Sequence, residues 1–151
     1  MQKKIEEQLN LGPINQIGFV VRDLESAINE YQPLFGEFQT MDAFDMDWEY
    51  KGKIETSSIR IALAQHENVE IELIEWISGK TPHKDFLDEG HAGMHHLRWI
   101  VDDLQKSMAE AMALGYESIW YKKFMEGLEV VYMKKPGDSL YIELFENKLE
   151  G

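Results

Sequence analysis

QIGFVVRDLESAINE, at residues 16–30, has the same pattern of apolar and polar residues as HLRWIVDDLQKSMAE at residues 96–110, without a gap. Four residues are identical between the copies, in the pairs Val21/Val101, Asp23/Asp103, Leu24/Leu104 and Glu30/Glu110. Farther along, EIELIEW at 70–76 matches YIELFEN at 141–147. Such self-similarity indicates a duplicated structural unit. The sequence predicts one domain over residues 1–151, with repeat halves at about 12–76 and 94–147.

Each copy has the same order of predicted elements. An apolar, β-rich run is followed by an aspartate suited to an N-cap and by an amphipathic helix that ends near Gly36 or Gly115. Three strands then follow, at about 37–45, 56–64 and 68–75 in the first copy and at about 117–121, 128–134 and 139–146 in the second. A short helix over 83–89, capped by Thr81, links the halves. The first ten residues are expected to form a loose helix or a frayed arm.

Two glutamates occupy equivalent positions inside apolar strands. Glu72 lies between Ile71 and Leu73, and Glu143 stands in the matching place of the second copy. A buried carboxylate is costly unless it is paired or bound to a metal. Gln16 and His96 form a second equivalent pair, each at the start of its copy. The repeat therefore predicts a metal site with four ligands, which are Gln16, Glu72, His96 and Glu143.

The donor set contains oxygen and nitrogen atoms but no thiolate, since the chain has no cysteine. Such a set suits divalent Zn, Co, Ni, Mn or Fe better than a soft ion. Four protein ligands would leave two positions of an octahedral ion open to water or substrate.

Other polar and aromatic residues are expected to lie outside the ligand set. Strand alternation sends His95 to the face opposite His96, with a structural or supporting role. Loops are expected for His66, His83 and His91, and outward or rim positions for Glu70, Glu75 and Glu146. Residues 122–127 are predicted to form a loop, with Lys122 or Lys123 available to an anionic group. Besides ordinary packing, a pocket lining is proposed for Phe19, Trp76, Trp99, Phe124, Met125 and Tyr132.

The net charge of −13 argues against nucleic acid and anionic membranes as partners. The first residues, MQKKIEEQLN, are too charged for a signal peptide, so a cytoplasmic location is expected.

At the stretches INQIGFVVRDL, VEIELIE, DFLDEGHAGMHHLRWIVDDL and YIELFE, the sequence resembles the vicinal oxygen chelate superfamily. That superfamily includes glyoxalase I, methylmalonyl-CoA epimerase, extradiol dioxygenases and bleomycin-resistance proteins. The resemblance implies an α+β fold of tandem βαβββ repeats, which form a cupped mixed sheet around a metal site. It places the family's ligand positions at Gln16, Glu72, His96 and Glu143.

Two subfamilies share features with the chain. FLDEGHAGMHHL looks most like methylmalonyl-CoA epimerase, whose first ligand is typically histidine rather than Gln16. The ligand quartet is similar instead to some glyoxalase I enzymes. Val20 and Trp76, however, stand where those enzymes usually have the arginine and asparagine that hold glutathione, so glutathione is not expected.

The resemblance implies a metal-dependent isomerase or lyase that transfers a proton next to a carbonyl, with Glu143 and Glu72 as candidate bases. The substrate would be a small molecule such as an acyl-CoA or a 2-oxo compound, and a homodimer is expected. Two alternatives remain: a non-catalytic small-molecule binder of the resistance type, and a metal-dependent dioxygenase. Two histidines and one glutamate hold iron in the extradiol dioxygenases, whereas this quartet has a single histidine.

Overall fold

A computed structural model describes residues 9–149 of the chain, so most of the predicted N-terminal arm lies outside the described residues. The first half contains β1 (Ile14–Val21), α1 (Leu24–Phe35), β2 (Gln39–Tyr50), β3 (Lys53–His66) and β4 (Val69–Ser78). Helix α2 (Pro82–Asp88) links it to the second half. That half contains β5 (Gly93–Ile100), α3 (Leu104–Ala113), β6 (Glu117–Met125), β7 (Leu128–Lys134) and β8 (Tyr141–Asn147). The predicted α+β class and the tandem βαβββ order are confirmed.

The eight strands form one closed barrel in the order β1-β4-β3-β2-β6-β7-β8-β5. Within each half the first strand pairs in parallel with the last, as β1 with β4 and β5 with β8. The halves join through antiparallel contacts of β1 with β5 and of β2 with β6. The predicted cup is therefore closed on itself, and residues on the inner face surround a common interior.

Both long helices begin as the sequence predicts and have a second cap as well. Asp23 and Asp103 accept hydrogen bonds from the backbone N–H groups of Ser26 and Lys106. In addition, Oε1 of Glu75 accepts from the Leu24 N–H at 2.7 Å. Glu146 does the same for Leu104 at 2.9 Å. The two repeat-related glutamates thus tie each helix to the last strand of its own half.

The helices cover the outer face of the barrel, and this corrects part of the predicted pocket lining. Phe19 packs into the apolar cluster beneath α1, and Trp99 packs into the cluster beneath α3. Each lies three residues after an inward-facing side chain, Gln16 or His96. Strand alternation therefore directs Phe19 and Trp99 outward, to the helices. Trp76 and Met125 also lie away from the pocket, whereas Phe124 and Tyr132 line it.

The predicted loop at 122–127 is mostly strand. β6 continues to Met125 and pairs with β7, so only Glu126 and Gly127 form the turn. The two lysines there already have partners: Lys122 donates to the Asp47 carbonyl at 2.8 Å, and Lys123 binds Glu126. Neither lysine lines the interior pocket.

Among residues 9–149, no helix is long and apolar enough to span a membrane.

Candidate metal centre

Four adjacent strands, β4-β1-β5-β8, bring the predicted ligands together. Gly18 on β1 lies opposite both Glu72 on β4 and His96 on β5. Arg98 on β5 lies opposite both Gln16 on β1 and Glu143 on β8. This pseudo-twofold register follows from the repeat, because equivalent strands of the two halves meet at the β1–β5 pair.

The other three donor atoms converge on the His96 imidazole. Its Nε2 atom lies 3.0 Å from Oε1 of Gln16, 3.1 Å from Oε1 of Glu72 and 3.2 Å from Oε1 of Glu143. His96 is fully buried, Gln16 and Glu143 are buried, and Glu72 is only slightly exposed. One chain alone therefore assembles the donor set, and no partner is needed to bring these side chains together.

The donor set fits a divalent cation. Metal–ligand bonds of about 2.1 Å place neighbouring ligand atoms of an octahedral ion about 3.0 Å apart, close to the spacings around His96. Oε1 of Glu143 is buried without a hydrogen-bond partner, which leaves a lone pair that a cation would satisfy. Burial, with the nearby charge of Glu72 adding to its effect, raises the pKa of Glu143 to about 7. A divalent cation at this position would supply the counter-charge that favours the ionised carboxylate.

Glu70, for which an outward or rim position was expected, lines the pocket beside the candidate ligands. Its Oε1 atom accepts a hydrogen bond from Nε2 of Gln16 at 2.7 Å. This bond fixes the orientation of the amide, so that the oxygen of Gln16 faces His96. The signal was present in the sequence, because the period of two that directs Glu72 inward does the same for Glu70.

His95 does not face away from His96. A bulge in β5 lies between the pairs Gly18↔His96 and Phe19↔Met94, so His95 is the extra residue and the alternation breaks there. The His95 ring stacks on the buried Tyr141, and its Nδ1 atom lies 3.0 Å from Nδ1 of His96. Burial holds the pKa of His95 well below its usual range. A neutral His95 can accept the Nδ1 proton of His96, which leaves Nε2 free for a cation.

The remaining histidines lie in three different settings. His83, expected on a loop, is buried in α2 with Nε2 3.3 Å from the Tyr132 hydroxyl, and burial lowers its pKa. His66 is the exposed last residue of β3, where a loop was expected. His91 lies in a loop, as expected.

Gly18 and Arg98 adjoin the candidate ligands, and the sequence analysis did not single them out. A Cβ atom at residue 18 would overlap the His96 imidazole, so the histidine occupies space that only glycine leaves free. Arg98 is the repeat equivalent of Gly18. Its Nε donates to Asn15 at 3.0 Å, and Nη2 lies 3.4 Å from Oε1 of Glu70. The sequence did contain a signal, because glycine at 18 and arginine at 98 differ sharply at equivalent positions of the repeat.

The donors form one end of a pocket of about 330 Å³ inside the barrel. We call this the polar end; it comprises Gln16, Glu70, Glu72, Arg98 and Glu143. The other walls are mainly apolar. Trp48 stacks on Trp120 with ring centroids 3.6 Å apart, and Phe124 meets Trp48 edge to face. These three residues form what we call the aromatic wall. The polar end can hold a cation and a reacting group while the apolar walls exclude water.

Comparison with solved structures finds the same fold in several proteins. A hypothetical protein from Bacillus halodurans C-125 is 18% identical, with a TM-score of 0.66 over 92% of this chain and 96% of its own. Methylmalonyl-CoA epimerase from Mycobacterium tuberculosis is 21% identical, with a TM-score of 0.62 over 91% and 89%.

A variant of the Streptomyces coelicolor methylmalonyl-CoA epimerase, in complex with 2-nitronate-propionyl-CoA, is 17% identical and has a TM-score of 0.65 over 93% and 97%. No curated protein sequence matches the chain. Residues 15–132 match the Glyoxalase/Bleomycin resistance protein/Dioxygenase superfamily, and they include three of the four converging donors. The chain therefore belongs to the glyoxalase/bleomycin resistance protein/dioxygenase superfamily.

Proposed function

We propose that this chain is a metal-dependent isomerase or lyase that transfers a proton on a carbon next to a carbonyl, in the manner of methylmalonyl-CoA epimerase or a glyoxalase. The observation that carries the proposal is the convergence of Gln16, Glu72 and Glu143 on Nε2 of His96 at the end of a pocket. The likeness to epimerases that take acyl-CoA ligands supports the same class of substrate.

A bound divalent metal would supply Lewis acidity to the substrate carbonyl. The proposed ligands are Gln16, Glu72, His96 and Glu143, and the metal is Zn, Co, Ni, Mn or Fe in the divalent state. Glu72 and Glu143 also line the pocket, so either carboxylate is placed to accept the proton.

The test begins with the metal content of the purified protein. After removal of the metal with a chelator and reloading with Co²⁺, exchange of the α-hydrogen of methylmalonyl-CoA and other acyl-CoA thioesters with D₂O is followed by NMR without oxygen. Exchange that depends on the metal and is lost in Glu143→Gln supports the proposal. Glu37→Gln, an exposed loop position, is the matched control.

Two results would favour the alternatives. Tight ligand binding by a protein that takes up no metal indicates a non-catalytic binder, and turnover only with iron and oxygen indicates a dioxygenase. The homodimer and the cytoplasmic location also remain predictions.

A further inference from the structure

Among the residues that line the interior pocket, the charged side chains all lie at one end. All charged side chains belong to the polar end, where Glu70, Glu72, Arg98 and Glu143 lie together. The rest of the lining comes from aromatic and aliphatic residues, with Ser57 as a small exception. A ligand that fills the pocket therefore meets polar groups on one side only.

The polar end has no positive charge to spare for an anionic substrate. Its three carboxylates and one guanidinium carry two net negative charges, which a divalent cation would neutralise. A carboxylate on the substrate would add a negative charge to a buried region whose charges are already balanced, and burial of an uncompensated charge is strongly unfavourable.

Arg98 is the single cation among the lining residues, and two of its nitrogens already have partners. Its Nε donates to Asn15, and Nη2 lies within reach of Glu70. Its guanidinium also lies 5.1 Å from the centroid of the Phe145 ring. An incoming carboxylate would share Arg98 with the carboxylate of Glu70, which also holds the amide of Gln16.

The aromatic wall offers a matching surface for an apolar group. Trp48 and Trp120 are nearly parallel, with an interplanar angle of 9°. Apolar surface continues outward to the mouth through Phe124 and Met41, which are 40% and 50% exposed. The cavity has roughly twice the volume of one that accepts benzene, so an aromatic ring fits beside the reacting group.

We infer that the substrate is a carbonyl compound whose α-carbon carries an apolar, preferably aromatic, group and no carboxylate. The inference rests on the proposed function in taking the polar end as the reacting end. The carbonyl is at the polar end, and the α-substituent lies against the aromatic wall. The α-C–H bond breaks with its proton passing to a carboxylate, its electron pair shifts to the carbonyl oxygen, and a solvent-derived proton returns to the carbon.

Two matched pairs of compounds test this with the full-length, Co²⁺-loaded protein. The thioesters 2-phenylpropanoyl-CoA and methylmalonyl-CoA differ only in a phenyl or carboxylate group on the α-carbon. The free aldehydes 2-phenylpropanal and 2-methyl-3-oxopropanoate differ in the same way and show whether CoA is needed. Dissociation constants and α-hydrogen exchange in D₂O are measured for all four.

The phenyl compound of at least one pair should bind about tenfold or more tightly than its carboxylate partner. Phe124→Ala should reduce this preference, because it removes a side chain from the aromatic wall at the mouth. Met125→Ala is the control, since Met125 is exposed beside it and does not line the pocket. Circular dichroism and metal content verify that both variants fold and load.

The outcomes separate this inference from the proposed function. Equal or tighter binding of both carboxylate compounds would overturn the inference even if they exchange their α-hydrogen. Selective binding of the phenyl compounds without any exchange of their α-hydrogen would overturn the proposed function but would still support the inferred ligand class. A Phe124→Ala variant that retains the full preference would also count against the inference.

Discussion

At the scale of single residues, the amide of Gln16 shows how the site is ordered. An amide has a donor and an acceptor end, and only the oxygen can bind a cation. Glu70 takes the donor end at 2.7 Å and so turns Oε1 toward His96. The carboxylate of Glu70 therefore acts on the candidate ligand by holding its orientation.

Removal of this partner is expected to weaken metal binding without removing a ligand. In Glu70→Ala the amide of Gln16 is free to rotate, and the metal affinity should fall by about tenfold to a hundredfold, as for other groups that orient ligands. Competition with a fluorescent chelator measures the change. Unchanged affinity would show that Gln16 is ordered by other contacts or is not a ligand.

Gly18 provides a second test at this scale. Gly18→Ala places a methyl group where the His96 ring lies, so the ring must shift and metal affinity should drop by at least about tenfold. Gly12→Ala is the matched control, since a Cβ there meets no atom within 4 Å. Metal content after dialysis compares the two, and equal retention would contradict the close packing of His96 on Gly18.

Substitution of His96 should weaken metal binding more than substitution of His95. His96→Ala removes the central donor and should abolish tight metal binding, whereas His95→Ala removes only the partner of Nδ1 and should weaken binding by about tenfold to a hundredfold. Titration with Co²⁺, followed by its visible absorption, resolves the two effects. Wild-type affinity in His95→Ala would mean that the hydrogen bond contributes nothing.

At the scale of elements, the last strand of each half holds the start of its helix through a carboxylate. Glu146 is buried. Its carboxylate accepts a hydrogen bond from the Leu104 N–H, one of the backbone donors that have no partner within the helix. Negative charge at a helix N-terminus is also favourable. The contact couples α3 to β8, which carries Glu143, and the Glu75 contact couples α1 to β4 in the same way.

Glu146→Ala should therefore lower the free energy of unfolding by about 1–2 kcal/mol. Glu110→Ala on the exposed face of α3 is the control and should have little effect. Urea unfolding of the metal-free proteins measures both. A loss no greater than that of the control would mean that Asp103 alone caps the helix.

At the scale of the whole molecule, the folded barrel buries the carboxyl group of Glu143 even when no metal is bound. Because the pKa of Glu143 is raised from 4.5 to about 7, the folded metal-free chain holds a proton that the unfolded chain releases between those values. The contribution of Glu143 to stability is thus full below pH 4.5 and is lost as the pH rises through 7, by at most about 3 kcal/mol. Metal binding below pH 7 should release this proton.

Thermal unfolding in the presence of chelator, from about pH 5 to about pH 8, measures the effect. Glu143→Gln keeps a neutral side chain of the same shape, so its stability should lack this part of the pH dependence. Parallel pH profiles of the two proteins would show that Glu143 is not protonated in the metal-free fold.

Much of the fold, and the four residues of the candidate ligand set, could be predicted from local patterns. The duplication at 16–30 and 96–110 predicted the repeated βαβββ order, and the aspartates at 23 and 103 marked both helix starts. Duplicated strands that carry polar residues in apolar surroundings also singled out the four side chains that converge. These features follow from helix and strand periodicity and from the N-cap, which depend on neighbours in sequence.

The surroundings of the site depend on contacts between distant strands. The bulge at His95 exists only because β5 pairs with β1 in that register, so alternation alone misplaced the side chain. A second bulge, between Ala43 and Met46 in β2, brings both of those residues and Trp48 to the pocket. Closure of the barrel then stacks Trp48 on Trp120 from the other half.

The repeat, the capped helices and the four candidate donors could thus be predicted from the amino-acid sequence, because they show in its periodicity and duplication. The contact of Glu70 with Gln16, the position of His95 and the apolar character of the pocket follow instead from the tertiary structure. Those features require strands far apart in sequence to pair in a particular register, and the pairing energy is shared among residues that no local pattern connects.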